Sequence, residues 1–331
     1  MNKKKAVWGF LSLGIAILTI MMIASGSKEF SLDTMMVYLS RANKLWLAAG
    51  YALVHICRTL GYQSAKRQGT VYGAADVFFS AITPSASGGQ PASMFFMLRD
   101  GMTFPACTTA LLINLVMYTL ATLTIGSLSV LFHFNLFRRM SLFSRILIVV
   151  GWFIMTGLSL LFYMLLRRGE ILYRLCDRVM EMLGKRKLLS NLTKKQAKLK
   201  KKMAEYQQCS DEIAGHGRML IRIFIINLLQ RLSQIGVTFM IFMALGEGFR
   251  TSVEGFVVQA FTALGSNSIP IPGGMGGADY LMLDGFGEIL GRDAASIEML
   301  CRGCSFYVCI ITSALIVLTG YFMGRKRSLR K

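Results

Sequence analysis

Charge is scarce in this chain, and acidic charge is scarcer still. Only 16% of its 331 residues are charged, and Asp and Glu number 17 against 37 Lys and Arg, a formal net charge of +20. A soluble domain of this size carries about 25% charged residues. A nucleic-acid binder with the same excess of positive charge would be far more polar than a chain that is 54% hydrophobic. Catalytic signatures are missing as well: no HExxH, GxSxG, Walker loop or Cys/His cluster occurs, so neither a cofactor nor a metal is expected. Cys301-Arg302-Gly303-Cys304 has CxxC spacing, but no second pair and no nearby His accompanies it. The seven cysteines mostly fall inside apolar runs, where they read as small buried hydrophobes. Soluble enzymes, disulfide scaffolds and disordered chains are thereby set aside.

What the chain has instead is long apolar runs, and its mean hydropathy is +0.52. Runs at about 6–25, 45–60, 105–132, 143–166, 219–245 and 297–324 approach or exceed the roughly 20 residues that cross a bilayer. The first follows Lys3-Lys4-Lys5 and has small residues at Ala24 and Gly26, as a signal-peptidase site would. It is longer than the apolar core of a signal peptide, so it reads as a transmembrane helix. Two further segments, about 73–98 and 252–290, are apolar but interrupted near the middle by Gly and Pro. Basic residues before the first run, at Lys66 and Arg67, between 167 and 218, and after the last run all fall on one side if there are six crossings; Arg138, Arg139 and Arg145 disagree. The expected fold is an all-α polytopic membrane protein with six full transmembrane helices, two inverted re-entrant broken-helix units and both termini cytoplasmic. It forms one transmembrane domain over 1–331, with a first repeat at about 45–132, a basic helical segment at about 167–218 and a second repeat at about 219–324. Lys185 to Lys202 is the basic core of that segment, read either as a site for anionic lipid or as a solvated topology signal.

The two interrupted segments share a plan. Phe79-Ser80-Ala81-Ile82-Thr83-Pro84-Ser85-Ala86-Ser87-Gly88-Gly89-Gln90 parallels Phe261-Thr262-Ala263-Leu264-Gly265-Ser266-Asn267-Ser268-Ile269-Pro270-Ile271-Pro272-Gly273-Gly274. Each runs from an aromatic-small-Ala-aliphatic helix end through a polar stretch with Pro to a Gly pair. Inverted repeats with broken helices are a recurring plan of transporters, and bare backbone at membrane depth belongs beside a cavity. Gly88, Gly89, Gly273, Gly274, Gly276 and Gly277 let backbone N–H groups approach a ligand, and half-helix N-termini suit phosphate or carboxylate. Tight turns between short helices are the plainer reading of the same residues. Thr83, Ser85, Ser87 and Gln90 complete the first candidate loop, and Asp279 follows the second.

Polar residues also recur at helical spacing inside the spans. His55, Arg58 or Thr59, and Tyr62 form one stripe; Asn227, Gln230 or Arg231, Gln234 and Thr238 form another. Arg231 lies near the middle of its span, where a charge costs at least about 2.5 kcal/mol, so it needs a partner. A lipid phosphate, Asp76, Asp279 or backbone carbonyls are the candidates. Arg58 and Arg302 are further cationic candidates, although Arg58, like Arg222, lies near the cytoplasmic end of its span, where it can snorkel. Asn114, Tyr118 and Thr122 form a milder stripe that helix–helix hydrogen bonding explains.

Thr83-Pro84-Ser85-Ala86-Ser87-Gly88-Gly89-Gln90-Pro91, together with Pro270-Ile271-Pro272-Gly273-Gly274-Met275-Gly276-Gly277, resembles the flippase-like membrane domain of the lysylphosphatidylglycerol synthase family, the multiple peptide resistance factors. The resemblance covers nearly the whole chain. It implies a bacterial inner-membrane protein that moves an anionic or aminoacylated phospholipid between leaflets and contributes to resistance against cationic antimicrobial peptides. Full-length members add an aminoacyltransferase domain, which is expected to be missing here. The alternatives are phosphatidylglycerol lysyltransferase activity, as the family name suggests, and a non-transporting membrane scaffold. Relatives often carry an acidic residue after each Gly-rich loop, where this chain has Gln90 and Asp279. The expected partners are a lipid-phosphate headgroup, a separate lipid-modifying enzyme and a second copy of the chain, with no nucleic acid.

Overall fold

The structure, a computed structural model, describes residues 56–58, 66–83, 87–167, 204–211, 215–266, 274 and 276–328. Among them every regular element is helical: α1 Lys66–Ile82, α2 Gly89–Arg99, α3 Phe104–Phe132, α4 Phe134–Arg139, α5 Leu142–Arg167, α6 Gly217–Ala244, α7 Phe249–Ser266, α8 Gly277–Leu290, α9 Ala294–Arg302 and α10 Val308–Ser328. A 3-10 turn at Gly291–Asp293 joins α8 to α9, and a π turn at Gly303–Tyr307 joins α9 to α10.

Four helical stretches are long and apolar enough to cross a membrane: Phe104–Phe132, Leu142–Leu166, Gly217–Ala244 and Ala294–Phe322. The chain is an integral membrane protein. These four coincide, within a few residues, with four of the six runs expected to cross. The run at 6–25 and all but residues 56–58 of the run at 45–60 lie outside the described residues, as does the basic stretch 185–202. The two interrupted segments are indeed broken. The first parts between Ile82 and Gly89, the second between Ser266 and Gly277. The first broken unit begins earlier than hydropathy suggests, because α1 opens on the polar turn Lys66-Arg67-Gln68.

Local chemistry explains where the helices stop. At the end of α2 the N–H of Gly101 donates to Leu98 O and that of Met102 to Met97 O, while Gly101 takes φ 95°. That is a Schellman close, which needs a left-handed residue and therefore favours glycine. The end of α6 repeats it at Gly246, φ 85°, with Gly246 N–H to Met243 O and Glu247 N–H to Phe242 O. Pro105 enters the first turn of α3, where its missing donor costs nothing.

Small residues bring the helices together, as expected where lipid gives no hydrophobic drive for helix association. The fully buried end of α7, Phe261 and Leu264, sits against α3 and α5. A Cβ on Gly126 of α3 would overlap the Leu264 side chain, and one on Gly151 of α5 would overlap the Leu264 carbonyl oxygen. Gly285 of α8 takes Val258 of α7 in the same way, and Gly320 of α10 takes Val71 of α1. The two broken units are thus braced crosswise. The first half-helix of each packs on the long helix that follows the other unit: α1 on α10, and α7 on α3. Two large apolar clusters result among the described residues, one around Tyr72, Ala75, Met97 and Ala110, the other around Ile148, Phe261, Leu281 and Phe286, with a small third at Ile125, Ile235 and Ala260. Along α5, Phe153, Leu160 and Leu161 remain exposed and present an apolar face suited to lipid. Residues 204–211 form a short helix fastened to the end of α5, where Tyr206 Oη donates to Leu165 O at 3.1 Å and Ser210 Oγ to Leu166 O at 2.5 Å.

Candidate functional site

A cavity of about 540 Å³ lies between the two broken units and the long helices α3, α5 and α6. The first unit contributes Asp76, Ser80, Ser87 and Gln90, and the second Thr262, Ser266, Gly274 and Ala278. Polar side chains of the spans complete the wall: Asn114, Tyr118, Asn227, Gln230, Arg231 and Gln234, with Gln259, Arg302 and Ser305. Tyr118 and Arg231 stand close to the midpoints of α3 and α6, helices of 29 and 28 residues. At about 1.5 Å per residue each helix is roughly 42 Å long, so the cavity is level with the middle of two of the helices long and apolar enough to cross a membrane.

Arg231 is 5% exposed and is held by neutral groups. Its Nε donates to Thr122 Oγ1 at 2.9 Å, its Nη1 to Gln234 Oε1 at 2.5 Å, and its guanidinium stacks 4.0 Å above the Tyr118 ring. Among the described residues no carboxylate pairs with it; neither Asp76 nor Asp279, the two protein carboxylates proposed from sequence, does so. Tyr118 and Thr122, one helical turn apart on α3, therefore do more than tie helices together: they seat the buried cation. Their neighbour Asn114 serves the helix–helix role, accepting from Asn227 Nδ2 at 3.3 Å.

Arg302 is bound differently. Its Nε meets Asp279 Oδ1 at 2.6 Å and Glu298 Oε1 at 3.9 Å, and the guanidinium lies 4.8 Å from the Phe306 ring centroid. Nη2 is buried with no hydrogen-bond partner among the described residues. Asp279 also caps its own helix, with Oδ2 accepting from Gly276 N–H at 2.8 Å where Gly276 takes φ 78°. This carboxylate is committed to α8 and Arg302.

At the first break Asp76 takes the comparable place. Its Oδ1 accepts from Gln90 Nε2 at 3.3 Å. A Cβ on Gly89 would overlap both Asp76 Oδ1 and Ser80 Oγ, so the carboxylate rests directly against the first residue of α2. Gly88 N–H donates to Thr83 Oγ1 at 2.9 Å, and Thr83 Oγ1 donates back to Phe79 O at 2.6 Å. Both half-helix N-termini thus meet a protein carboxylate, as their partial positive charge favours.

Of the residues singled out from sequence, Ser87, Gln90, Gly274, Arg231, Gln234 and Arg302 line the cavity together. Thr83, Gly88, Gly89, Gly276, Gly277 and Asp279 do not line it; they shape the two breaks beside it. Arg58 is exposed and is not on the wall. Ser85 and Gly273 lie outside the described residues. From sequence, Tyr118 and Thr122 read only as a helix–helix stripe at four-residue spacing, Gln259 carried no signal, and Asp76 was a candidate only as a partner for Arg231. Among the described residues no cluster of His, Cys, Asp and Glu is placed to hold a metal, and Cys301 and Cys304 are buried, unlinked thiols.

Comparison with known families gives one finding: the family described as lysylphosphatidylglycerol synthase TM region matches residues 9–313. No curated protein and no solved structure matches the chain.

Proposed function

The chain belongs to the lysylphosphatidylglycerol synthase TM region family, and from that premise we propose that it carries phospholipid headgroups between the leaflets of a bacterial inner membrane. The observation that supports this most is Arg231: a guanidinium at mid-membrane depth, beside a polar cavity, with no carboxylate on it among the described residues. An unneutralised charge there is costly, and a lipid phosphate would neutralise it when a headgroup enters. The lengths of α2 and α8, 11 and 14 residues, support reading the two units as re-entrant, since about 16 and 21 Å of helix falls short of a 30 Å hydrocarbon core. In this reading the units are inverted relative to each other, both termini face the cytoplasm, and lipid translocation lowers the attraction of cationic antimicrobial peptides to the cell surface.

The test is lipid scrambling in proteoliposomes holding the purified full chain, read by chemical quenching of acyl-labelled phospholipids in the outer leaflet. Transport above that of empty vesicles is expected. Rates equal to empty vesicles for anionic, zwitterionic and aminoacylated lipids alike would remove the proposal.

A further inference from the structure

The charges on the cavity wall do not all have the same sign, and their arrangement speaks to the chemistry of the cargo. Among the described wall residues three are charged: Asp76, Arg231 and Arg302. Arg302 is matched by Asp279 at 2.6 Å. This leaves one guanidinium, Arg231 on α6, and one carboxylate, Asp76 on α1, with no ion pair between them. A purely anionic headgroup would answer Arg231 and face Asp76. A purely cationic one would do the reverse. Only a group with charges of both signs satisfies the wall.

The surroundings of Asp76 further specify the cation. Near it on the wall are hydrogen-bonding groups, the hydroxyls of Ser80 and Ser87 and the amide of Gln90, whose Nε2 already donates to Asp76. A primary ammonium has three N–H donors for such acceptors. A trimethylammonium has none and is instead held by aromatic faces. Among the described wall residues three are aromatic, Tyr118, Phe162 and Phe306, and two of them already carry guanidiniums, Arg231 on Tyr118 and Arg302 on Phe306. The number of cations is limited as well. Asp279, the other carboxylate beside the breaks, is held by Arg302 and by Gly276 N–H, so a second ammonium finds no second carboxylate among the described wall residues.

We propose that the cavity is built for a phospholipid headgroup with one phosphate and one primary ammonium, the phosphate at Arg231 and the ammonium at Asp76, and that it disfavours a headgroup with two ammonium groups such as a lysyl ester. This rests on reading the cavity as the headgroup site. It gives Gly89 a role too: without a side chain, Gly89 lets the Asp76 carboxylate lie against α2 while still facing the cavity.

The purified full chain would be titrated with short-chain phosphatidylethanolamine, phosphatidylcholine, phosphatidylglycerol and lysylphosphatidylglycerol, with bound lipid read by native mass spectrometry and the same four species followed in the scrambling assay. Phosphatidylethanolamine is expected to bind about tenfold more tightly than each of the others, the scale of one charge-assisted hydrogen bond. Asp76→Asn should bring ethanolamine and choline lipids to within twofold of each other. Gln90→Leu, which removes the amide that bonds Asp76 without changing charge, should reduce the preference by a smaller factor, and it serves as the second variant should Asp76→Asn fail to fold. Equal wild-type binding of ethanolamine and choline lipids, tightest binding of the lysyl lipid, or an unchanged preference in Asp76→Asn would each overturn the inference. Binding with the expected order but no scrambling of any lipid would remove the transport reading and leave the ammonium site standing. Scrambling without headgroup preference would do the opposite.

Discussion

Replacing Arg231 by Gln tests the transport reading most directly, because it removes the charge while keeping a side chain that can hydrogen-bond. In the wild type the guanidinium is fixed by the Thr122 hydroxyl at 2.9 Å, by Gln234 Oε1 at 2.5 Å and by the Tyr118 face at 4.0 Å. Hydrogen bonds between charged groups contribute about 1.5–3 kcal/mol each. Loss of one Arg–phosphate contact should therefore slow scrambling of a phosphate-bearing lipid by about tenfold to a hundredfold, provided the headgroup meets Arg231 at the top of its barrier. Stability should change little. The native protein carries the cost of an unpaired mid-membrane charge, at least about 2.5 kcal/mol, and the variant is relieved of it while losing two hydrogen bonds to a charged group, at least about 1.5 kcal/mol each. The assay is acyl-labelled lipid quenching in proteoliposomes, with thermal unfolding in detergent run in parallel. A folded Arg231→Gln protein that scrambles lipid at the wild-type rate would refute the assignment of Arg231 as the phosphate contact.

Thr122→Val should lower scrambling severalfold with a stability loss of about 1 kcal/mol, since it frees Arg231 Nε while preserving shape; rescue by Thr122→Ser would show that the hydroxyl is what matters. Asp279→Asn weakens both the Gly276 cap and the pair with the buried Arg302 guanidinium, and should cost about 2 kcal/mol in thermal or denaturant stability; an unchanged unfolding midpoint would contradict that geometry. Gly151→Val should reduce folded yield sharply, because its Cβ would overlap the Leu264 carbonyl oxygen and backbone cannot move aside as a side-chain tip can. Gly157→Ala, about one and two-thirds turns further along α5 where a Cβ meets nothing within 4 Å, should be silent in the same expression and melting measurements.

Much of the helical layout was legible in the sequence because apolar run length and Gly/Pro interruption report directly on it. The breaks after Ile82 and after Ser266 fall where polar residues, Pro and Gly pairs interrupt the apolar pattern. The wall contributed by α6 was legible too, as Asn227, Arg231 and Gln234 recur at three- and four-residue intervals. What could not be read was register between helices. Gly89 shows why: glycine is used both for special backbone angles and for close approach, and only the crossing of α1 with α2 reveals the second use. Asp76 stands alone in an apolar stretch, and its partner Gln90 is 14 residues away across the break. Arg231 needed a partner, but that the partners would be a hydroxyl, an amide and an aromatic face depends on how α3 lies against α6.

The π turn at Gly303–Tyr307 holds an extra residue within the last span. Upstream, Arg302 sits on the cavity wall with Asp279; downstream, the same span turns Gly320 onto Val71, where the Gly320 carbonyl also accepts from Arg99 Nη2 at 3.2 Å. A wider turn takes up an inserted residue without breaking the helix, so the faces on either side keep the phase of a regular helix. Each residue of an α-helix advances the face by about 100°, so deleting a single residue between 303 and 307 should close the turn to regular helix and leave Arg302 and Gly320 both in place, whereas deleting one between 308 and 319, where no wide turn takes up the loss, would swing Gly320 away from Val71. The last helix is therefore two packing surfaces on one rod, one facing the cavity and the other the first broken unit, with a spare residue held between them.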